Sequence, residues 1–255
     1  YRDRTADVML DRADIPAQAT GGTRILHFGS LSLVCEPVCS ATLEAVAAAR
    51  AAGVTISYDP NWRPPLWNSR EAAREMMGRG MELADLVKVS EEELVFLTGE
   101  TDLDRGVQAL LERYPMRLLA VTRGPAGCLL CIRAVRISAP TFDTECVDTT
   151  GAGDAFWGAT LAWLLEQDLR PEQLDETTAR QLVDFANAAG SWWTLPTRPA
   201  AWPPPERAPS RRCPPASRSR RASARCPIWH KPSPRSPAAA DTTKGRRTET
   251  WRSFR

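Results

Sequence analysis

The chain has 255 residues, 33 Lys+Arg against 31 Asp+Glu, and 43% hydrophobic residues. This length suits one large domain or two small ones with a buried core. No stretch of 18 apolar residues occurs, and the charged first residues lack the apolar segment of a signal peptide. The sequence therefore predicts neither a membrane-spanning helix nor a secretory leader.

Charge and proline divide the chain into two predicted units. Residues 203–255 carry 14 basic and 3 acidic residues and 10 of the 21 prolines, whereas residues 1–202 carry 19 basic and 28 acidic residues. An acidic body at 1–202 therefore precedes a basic tail at 203–255.

Strands and helices are predicted to alternate through the acidic body, because short β-branched runs alternate with longer segments of helical periodicity. In chain order these are strand 23–28, helix 41–52, strand 54–58, helix 69–84, strand 85–89, helices 91–98 and 103–114, strands 118–122 and 128–132, and helices 152–167 and 178–193. This alternation is typical of an α/β fold with a mostly parallel sheet and helices on both faces.

Polar clusters follow three of these strands: DPN at 59–61, SE at 90–91 and TRG at 122–124. In open α/β sheets, ligands bind beyond the carboxyl ends of the strands. The sequence therefore predicts a ligand site at that edge of the sheet.

Cysteine usage favours a reducing compartment and a cytoplasmic location, since seven thiols in a chain of this length do not form a secreted disulfide scaffold. Cys128 and Cys131 form a single C-x-x-C pattern inside an apolar segment. A structural zinc site of this kind needs a second pair, so these two thiols are predicted to lie in the core.

Residues 147–156 (VDTTGAGDAF) are the most informative stretch of the chain. Gly151 and Gly153 let the backbone approach a ligand closely, and the apolar spacing beyond them predicts that a helix begins here. Unpaired N–H groups at such a helix start favour a phosphoryl anion. Asp154 beside that anion suits a proton acceptor; the alternative is an acid placed in a first turn by the helix dipole.

The heptapeptide DTTGAGD at 148–154 resembles the second signature of the PfkB/ribokinase family of sugar kinases. Segments at 59–67, 88–99 and 121–127 are similar, in the same order, to the fructokinase-type sugar loop, the N-x-x-E segment and the nucleotide-side turn. The resemblance covers about residues 1–199. It implies a ribokinase-like fold and ATP-dependent phosphorylation of a sugar hydroxyl, with fructose favoured over ribose, 2-keto-3-deoxygluconate or a nucleoside by the segment at 59–67.

The resemblance also implies a role for each matched residue. Asp154 would take the proton of the attacking hydroxyl, and the amides of Gly151, Ala152 and Gly153 would hold the transferring phosphoryl group. The other implied positions are Glu93 for Mg²⁺, Asp148 and Thr150 for K⁺, Thr122, Gly124 and Asn187 for ATP, and Asn61 and Arg63 for the sugar. Phosphoryl transfer depends mainly on positioning and charge neutralisation, which this set would supply.

Several of these positions have simpler interpretations. Glu93 stands among three acids in a predicted first helical turn, where acids are favoured anyway. Arg63 could be a surface arginine of a proline-rich loop, and Asn187, judged without the family, would be an exposed helix residue. Trp192 and Trp193 are predicted to be core residues.

The sequence departs from the family at three places. Ser90 stands where many members have Asn, no counterpart of the family's N-terminal sugar-binding and lid segment precedes Tyr1, and the usual continuation after Asn187 is lost. An incomplete kinase domain is therefore expected, with little sugar kinase activity. Because the family often dimerises through its lid, the homodimer is not expected either.

The tail at 203–255 shows no hydrophobic periodicity and is predicted to be disordered. Its composition is similar to GC-rich coding sequence read in a shifted frame, a hypothesis that the parent reading frames would test. Its net charge of +11 would favour nucleic acid, which makes a non-catalytic domain with a nucleic-acid-binding tail the competing interpretation. Few aromatic residues are interleaved and no recognition fold is evident, so this binding is not expected.

Overall fold

The computed structural model describes residues 5–133 and 135–195. The predicted tail at 203–255, with its predicted disorder, lies outside these described residues. Within them, every helix is too short or too polar to cross a membrane.

The described residues form six strands and seven helices in largely alternating order. The strands are β1 (Ile25–Gly29), β2 (Thr55–Asp59), β3 (Leu86–Ser90), β4 (Leu118–Thr122), β5 (Cys128–Ile132) and β6 (Val135–Ala139). The helices are α1 (Ala17–Gly21), α2 (Val38–Ala51), α3 (Arg70–Leu83), α4 (Glu91–Thr98), α5 (Leu103–Arg113), α6 (Ala152–Glu166) and α7 (Glu176–Trp193). All elements predicted from the sequence are present, and α1 and β6 are additional.

The six strands form one sheet in the order β1-β2-β3-β4-β5-β6. The pairs from β1 to β4 are parallel, whereas β4-β5 and β5-β6 are antiparallel. The direction changes after β4 because only five residues connect it to β5, and a parallel return needs a long crossover. Gly124 and Gly127 of this turn have φ values of 52° and 87°. The prediction of a mostly parallel sheet is confirmed.

The sheet is covered by helices on both faces, as predicted. In β4, Leu119 and Val121 face a core that includes residues of α2 to α5, while Leu118 and Ala120 face a second core built with α6 and α7. Successive side chains of a strand point to opposite faces, so a central strand buried on both sides reads as a continuous apolar run.

Local capping sets the helix boundaries. The Ser69 side chain accepts a hydrogen bond from the Ala72 amide at 3.1 Å, which confirms the predicted cap of α3. Helix α4 begins with a capping box between Ser90 and Glu93 and ends at Gly99, whose φ is 79°. These caps fix where the chain leaves β3, directly beside the predicted ligand edge.

Candidate active site

The predicted polar clusters meet at one edge of the sheet. Ser90 pairs with Thr122, which pairs with Cys128, which pairs with Ala139. The carboxyl ends of β1 to β4, the start of β5 and the end of β6 therefore lie together.

A cavity of about 620 Å³ opens between this edge and the start of α6. Asn61 and Asp154, which are 93 positions apart in the chain, both line it, as do His27 and Asp59. The remaining lining residues are Ala6, Asp7, Leu10, Gly29, Leu31, Ser32 and Val38. Arg63 is not among them; its guanidinium is exposed and donates to the Trp62 carbonyl at 3.1 Å.

Both the backbone conformation and the close approach of a neighbouring side chain require glycine at position 151. Its φ is 82°, and a Cβ at this position would lie 2.6 Å from Nε1 of Trp193. That indole N–H donates to the Thr150 carbonyl at 2.7 Å, so the end of α7 holds the glycine loop in place. Helix α6 begins at the next residue, Ala152, as the sequence predicts.

The amides at the start of α6 are only partly as predicted. The Ala152 N–H donates to the Thr149 carbonyl at 3.0 Å, so the prediction that it is unpaired is wrong. The tight turn before α6 satisfies this donor locally, as often happens at helix ends. Within the part of the chain that is described, the amides of Gly151 and Gly153 have no such bond.

Asp154 stands in the first turn of α6 with an exposed side chain that faces the cavity. A carboxylate that is open to the cavity and adjacent to a helix N-terminus can accept a proton from a hydroxyl bound there. Its part in catalysis stays a prediction.

A buried ion pair lies beside these residues, and the sequence interpretation did not include it. Lys88 Nζ donates to Asp59 Oδ2 at 2.7 Å, and their side chains are only 8% and 5% exposed. Burial raises the pKa of Asp59, and Lys88 opposes that rise. The sequence could have indicated an ion pair here, because a lysine flanked by valines in a central strand is seldom buried without a charged partner.

Ser57 of β2 connects the sheet to α6. The Trp157 indole N–H donates to Ser57 Oγ at 2.9 Å, and His27 Nδ1 lies 2.9 Å from the same oxygen. Trp157 lies on the first turns of α6, so this contact holds the helix start against β2.

The Glu93 carboxylate is buried and contacts two backbone segments. Its Oε1 accepts from the Trp62 amide at 2.7 Å, and its Oε2 accepts from the Ser90 amide at 2.7 Å. It therefore joins the loop after β2 to the start of α4. Trp62 in turn stacks on Phe96 with ring centroids 4.0 Å apart.

The residues predicted to hold cations are far from a closed metal cage. The Thr150 amide donates to Asp148 Oδ1 at 2.8 Å in an exposed turn, and both oxygens of Glu93 already accept backbone hydrogen bonds. Among the residues that the structure describes, no cluster of three His, Cys, Asp or Glu could hold a metal ion. A cation held here would need most of its ligands from water or a bound ligand, which is a common mode of binding for Mg²⁺.

The predicted nucleotide residues lie at the same edge of the sheet. Asn187 is only 4% exposed, and its Nδ2 donates to the carbonyls of Ala139 and Pro140 at 3.3 Å each. Its interpretation as an exposed helix residue is therefore wrong, because α7 packs this face against β6. Thr122 ends β4, and Gly124 begins the exposed turn that follows. Contact of these residues with a nucleotide stays a prediction.

The family comparison agrees with this geometry: residues 2–201 match the pfkB family carbohydrate kinase model. The chain belongs to this family. Fructokinase-1 of Oryza sativa subsp. japonica is 42% identical over 192 residues, which cover 75% of this chain and 58% of the relative. The chain thus spans somewhat more than half the length of this relative.

Solved structures show the same fold. A fructokinase from Vibrio cholerae O395, in its fructose, ADP and calcium ion bound form, matches with a TM-score of 0.68 and 34% identity, covering 75% of this chain and 60% of that one. A fructokinase with bound ATP from Xylella fastidiosa matches with a TM-score of 0.67 and 28% identity, covering 77% and 63%.

Proposed function

We propose that this domain transfers the terminal phosphoryl group of ATP to a hydroxyl of a fructose-like sugar. The observation that carries the proposal is that Asn61, from the loop after β2, and Asp154, at the start of α6, line the same cavity. The binding of fructose with ADP, and of ATP, by two structural relatives supports both substrate classes.

In the proposed reaction, Asp154 accepts the proton of the sugar hydroxyl. The hydroxyl oxygen forms a bond to the terminal phosphorus of ATP, and the bond from that phosphorus to the bridging oxygen breaks, which releases ADP. The amides of Gly151 and Gly153 and the N-terminal end of the α6 dipole stabilise the negative charge of the group in transit. Mg²⁺, bound by phosphates with help from Glu93, would supply further charge neutralisation.

The other proposed roles follow the position of each residue near the carboxyl edge of the sheet. Asn61 contacts the sugar from the loop after β2, and Arg63 would have to turn inward to join it. Thr122, Gly124 and Asn187 border the nucleotide along the ends of β4 and β6. Asp148 and Thr150 would steady the glycine loop with K⁺.

The substitution Asp154→Asn tests the catalytic base. It should lower kcat by about 10²–10⁴-fold, the usual contribution of a positioned base. ATP affinity should stay the same or improve, since a carboxylate beside a phosphate is removed. The measurement is sugar-dependent ADP formation with fructose, ribose, 2-keto-3-deoxygluconate and nucleosides, in this chain and in a version extended before Tyr1 by the N-terminal segment that the family implies.

The matched control is Asp143→Asn, the same change at an exposed acid in the loop before α6. It should leave kcat within about twofold, since surface changes away from a site have small effects. Near-normal kcat in folded Asp154→Asn protein would remove Asp154 as the base. Failure of the extended parent protein to form ADP with any sugar would reject the proposed function itself.

A further inference from the structure

His27 lines the cavity but has no part in the proposed reaction. It belongs to β1, pairs in register with Ser57 of β2, and lines the cavity together with Asn61 and Asp154. The residues proposed to border the nucleotide lie on β4, in the turn after it and on α7, and none of these described residues lines the cavity. His27 therefore belongs to the compartment that the proposed function assigns to the sugar.

A chain of hydrogen bonds fixes which nitrogen of His27 carries the proton. The Trp157 indole N–H can only donate, so Ser57 Oγ accepts from it at 2.9 Å. Ser57 is 0% exposed, so its hydroxyl proton needs an acceptor inside the protein, and His27 Nδ1 lies 2.9 Å from Oγ. Among the described residues, Ser57 Oγ has no other partner. Nδ1 is therefore the acceptor, and the proton of the neutral ring lies on Nε2.

The surroundings of His27 keep the ring neutral. Partial burial lowers the pKa of its imidazole, and the positive charge of Lys88 lowers it further, while Asp154 opposes both effects. At pH 7 the ring therefore presents one N–H donor, at Nε2, and no net charge. Within the described part of the chain this donor has no hydrogen-bond acceptor, and the residue is exposed.

The other groups around the cavity favour a neutral ligand with several hydroxyls. Asp7, Asp59 and Asp154 line it, and ionised carboxylates accept hydrogen bonds but repel anions. A ligand hydroxyl can donate its proton to a carboxylate while its oxygen still accepts from a donor. His27 Nε2 and the side-chain amide of Asn61 are donors of this kind.

We propose that His27 is a sugar-binding residue whose Nε2–H donates a hydrogen bond to an oxygen of the bound fructose-like sugar. This rests on the proposed function and adds a second donor beside Asn61. Ser57 and Trp157 act indirectly, because they fix the tautomer and the orientation of the ring. The three residues come from β1, β2 and α6, so the docking of α6 on the sheet completes the sugar site.

Nitrogen NMR of the full chain with isotope-labelled histidine tests the contact directly. The chain has only two histidines, His27 and His230, so the second is an internal control. Before sugar is added, the His27 signals should show a protonated Nε2 and an unprotonated Nδ1. Fructose should then move the Nε2 signal of His27 in a saturable way and leave the His230 signals unchanged.

Two substitutions separate the donor from the shape of the ring, with affinities measured by calorimetry. His27→Phe keeps a planar ring without an N–H group, and fructose affinity should fall about 3- to 10-fold, as expected for one neutral hydrogen bond. His27→Gln places an amide N–H close to the position of Nε2, so fructose affinity should stay within about twofold of the parent. ATP affinity should change less than about twofold in both variants, because His27 lies away from the nucleotide side.

An Nε2 signal that does not respond to bound fructose, or equal fructose affinity in His27→Phe and the parent, would overturn the inference alone. An equal loss of affinity in His27→Gln would also overturn it, because ring packing and not the donor would then matter. If His27→Phe does not fold, the NMR titration of the parent decides. A parent chain that binds neither fructose nor any other sugar tested would reject the proposed function and the inference together.

Discussion

The positions of Cys128 and Cys131 in a strand decide whether this C-x-x-C pair could bind a shared ligand. The two residues stand three apart in β5, so their side chains point to opposite faces of the sheet. Cys128 packs in the core beside α6 and α7, and Cys131 packs in the core on the other face. The prediction that both are core thiols is confirmed, and their positions rule out a shared ligand for this pair.

Burial also predicts the reactivity of these thiols. It raises the pKa of Cys131 to about 11 and that of Cys128 further still. Because the thiolate is the reactive form, both should remain unmodified by iodoacetamide at pH 8, whereas the exposed Cys35 and Cys146 react. Mass spectrometry of the digested protein measures this, with urea-unfolded chain as the control. Native labelling of Cys128 at the rate seen in urea would contradict the prediction.

Glu93 makes two contacts, of which only one has a signal in the sequence. The spacing Ser90-x-x-Glu93 is a capping box, and the structure contains that box. The second contact, to the Trp62 amide, comes from a loop 31 positions away and has no local signal. The capping role could have been predicted from the sequence, but the link to the loop after β2 could not.

At the scale of elements, helix α3 lies against β2 at a glycine. A Cβ at Gly80 would lie 2.6 Å from Cε2 of the buried Tyr58 ring. Gly80→Ala should therefore destabilise the protein by about 1–3 kcal/mol through overpacking, despite the better helix propensity of alanine. Urea unfolding measures the free energy difference.

Gly158 of α6 provides the opposite case as a control. No atom lies within 4 Å of a Cβ added there, and the residue is exposed in a helix interior. Gly158→Ala should stabilise the protein by about 0.5–1 kcal/mol. If Gly80→Ala stabilises the protein, as Gly158→Ala should, this result would contradict the close packing of α3 on Tyr58.

The loop before α6 depends on α7 for its position. The Val147 amide donates to the Thr194 carbonyl at 2.9 Å, and the Thr141 and Ser191 hydroxyls lie 2.7 Å apart. With the bond from Trp193 to Thr150, these contacts join the glycine motif to the last turn of a helix about 40 residues later. Trp193 is thus half-buried and bonded to the loop. Trp192 is also half-buried, and neither residue belongs to either core, so the prediction that both are core residues is wrong.

Strand β6 was missed for a reason of turn chemistry. Its buried Ile137 and Ala139 alternate with exposed Arg136 and Ser138, which is a clear strand pattern. The hairpin before it has φ = 51° at Arg133 instead of a glycine or asparagine. Without the usual turn residues, the sequence did not signal a hairpin.

At the scale of the whole molecule, two cores share one sheet. Leu110 of α5 and Leu164 of α6 are buried on opposite faces. Each change to alanine should cost about 2–5 kcal/mol, and the double variant should show the sum, since distant sites are additive. Urea unfolding followed by fluorescence and circular dichroism should give one shared transition. Two separate transitions would show that the faces unfold independently.

The sequence by itself determined the α/β alternation, the start of α6 and the glycine motif at 148–154, because each depends on residues close together in the chain. Periodicity and propensity act over a few turns, so local signals were sufficient. Tertiary structure alone decided the pairing of Asp59 with Lys88, 29 positions apart, and of Ser57 with Trp157, 100 positions apart. These contacts depend on which strands become neighbours and which face each side chain takes, and local sequence does not specify either.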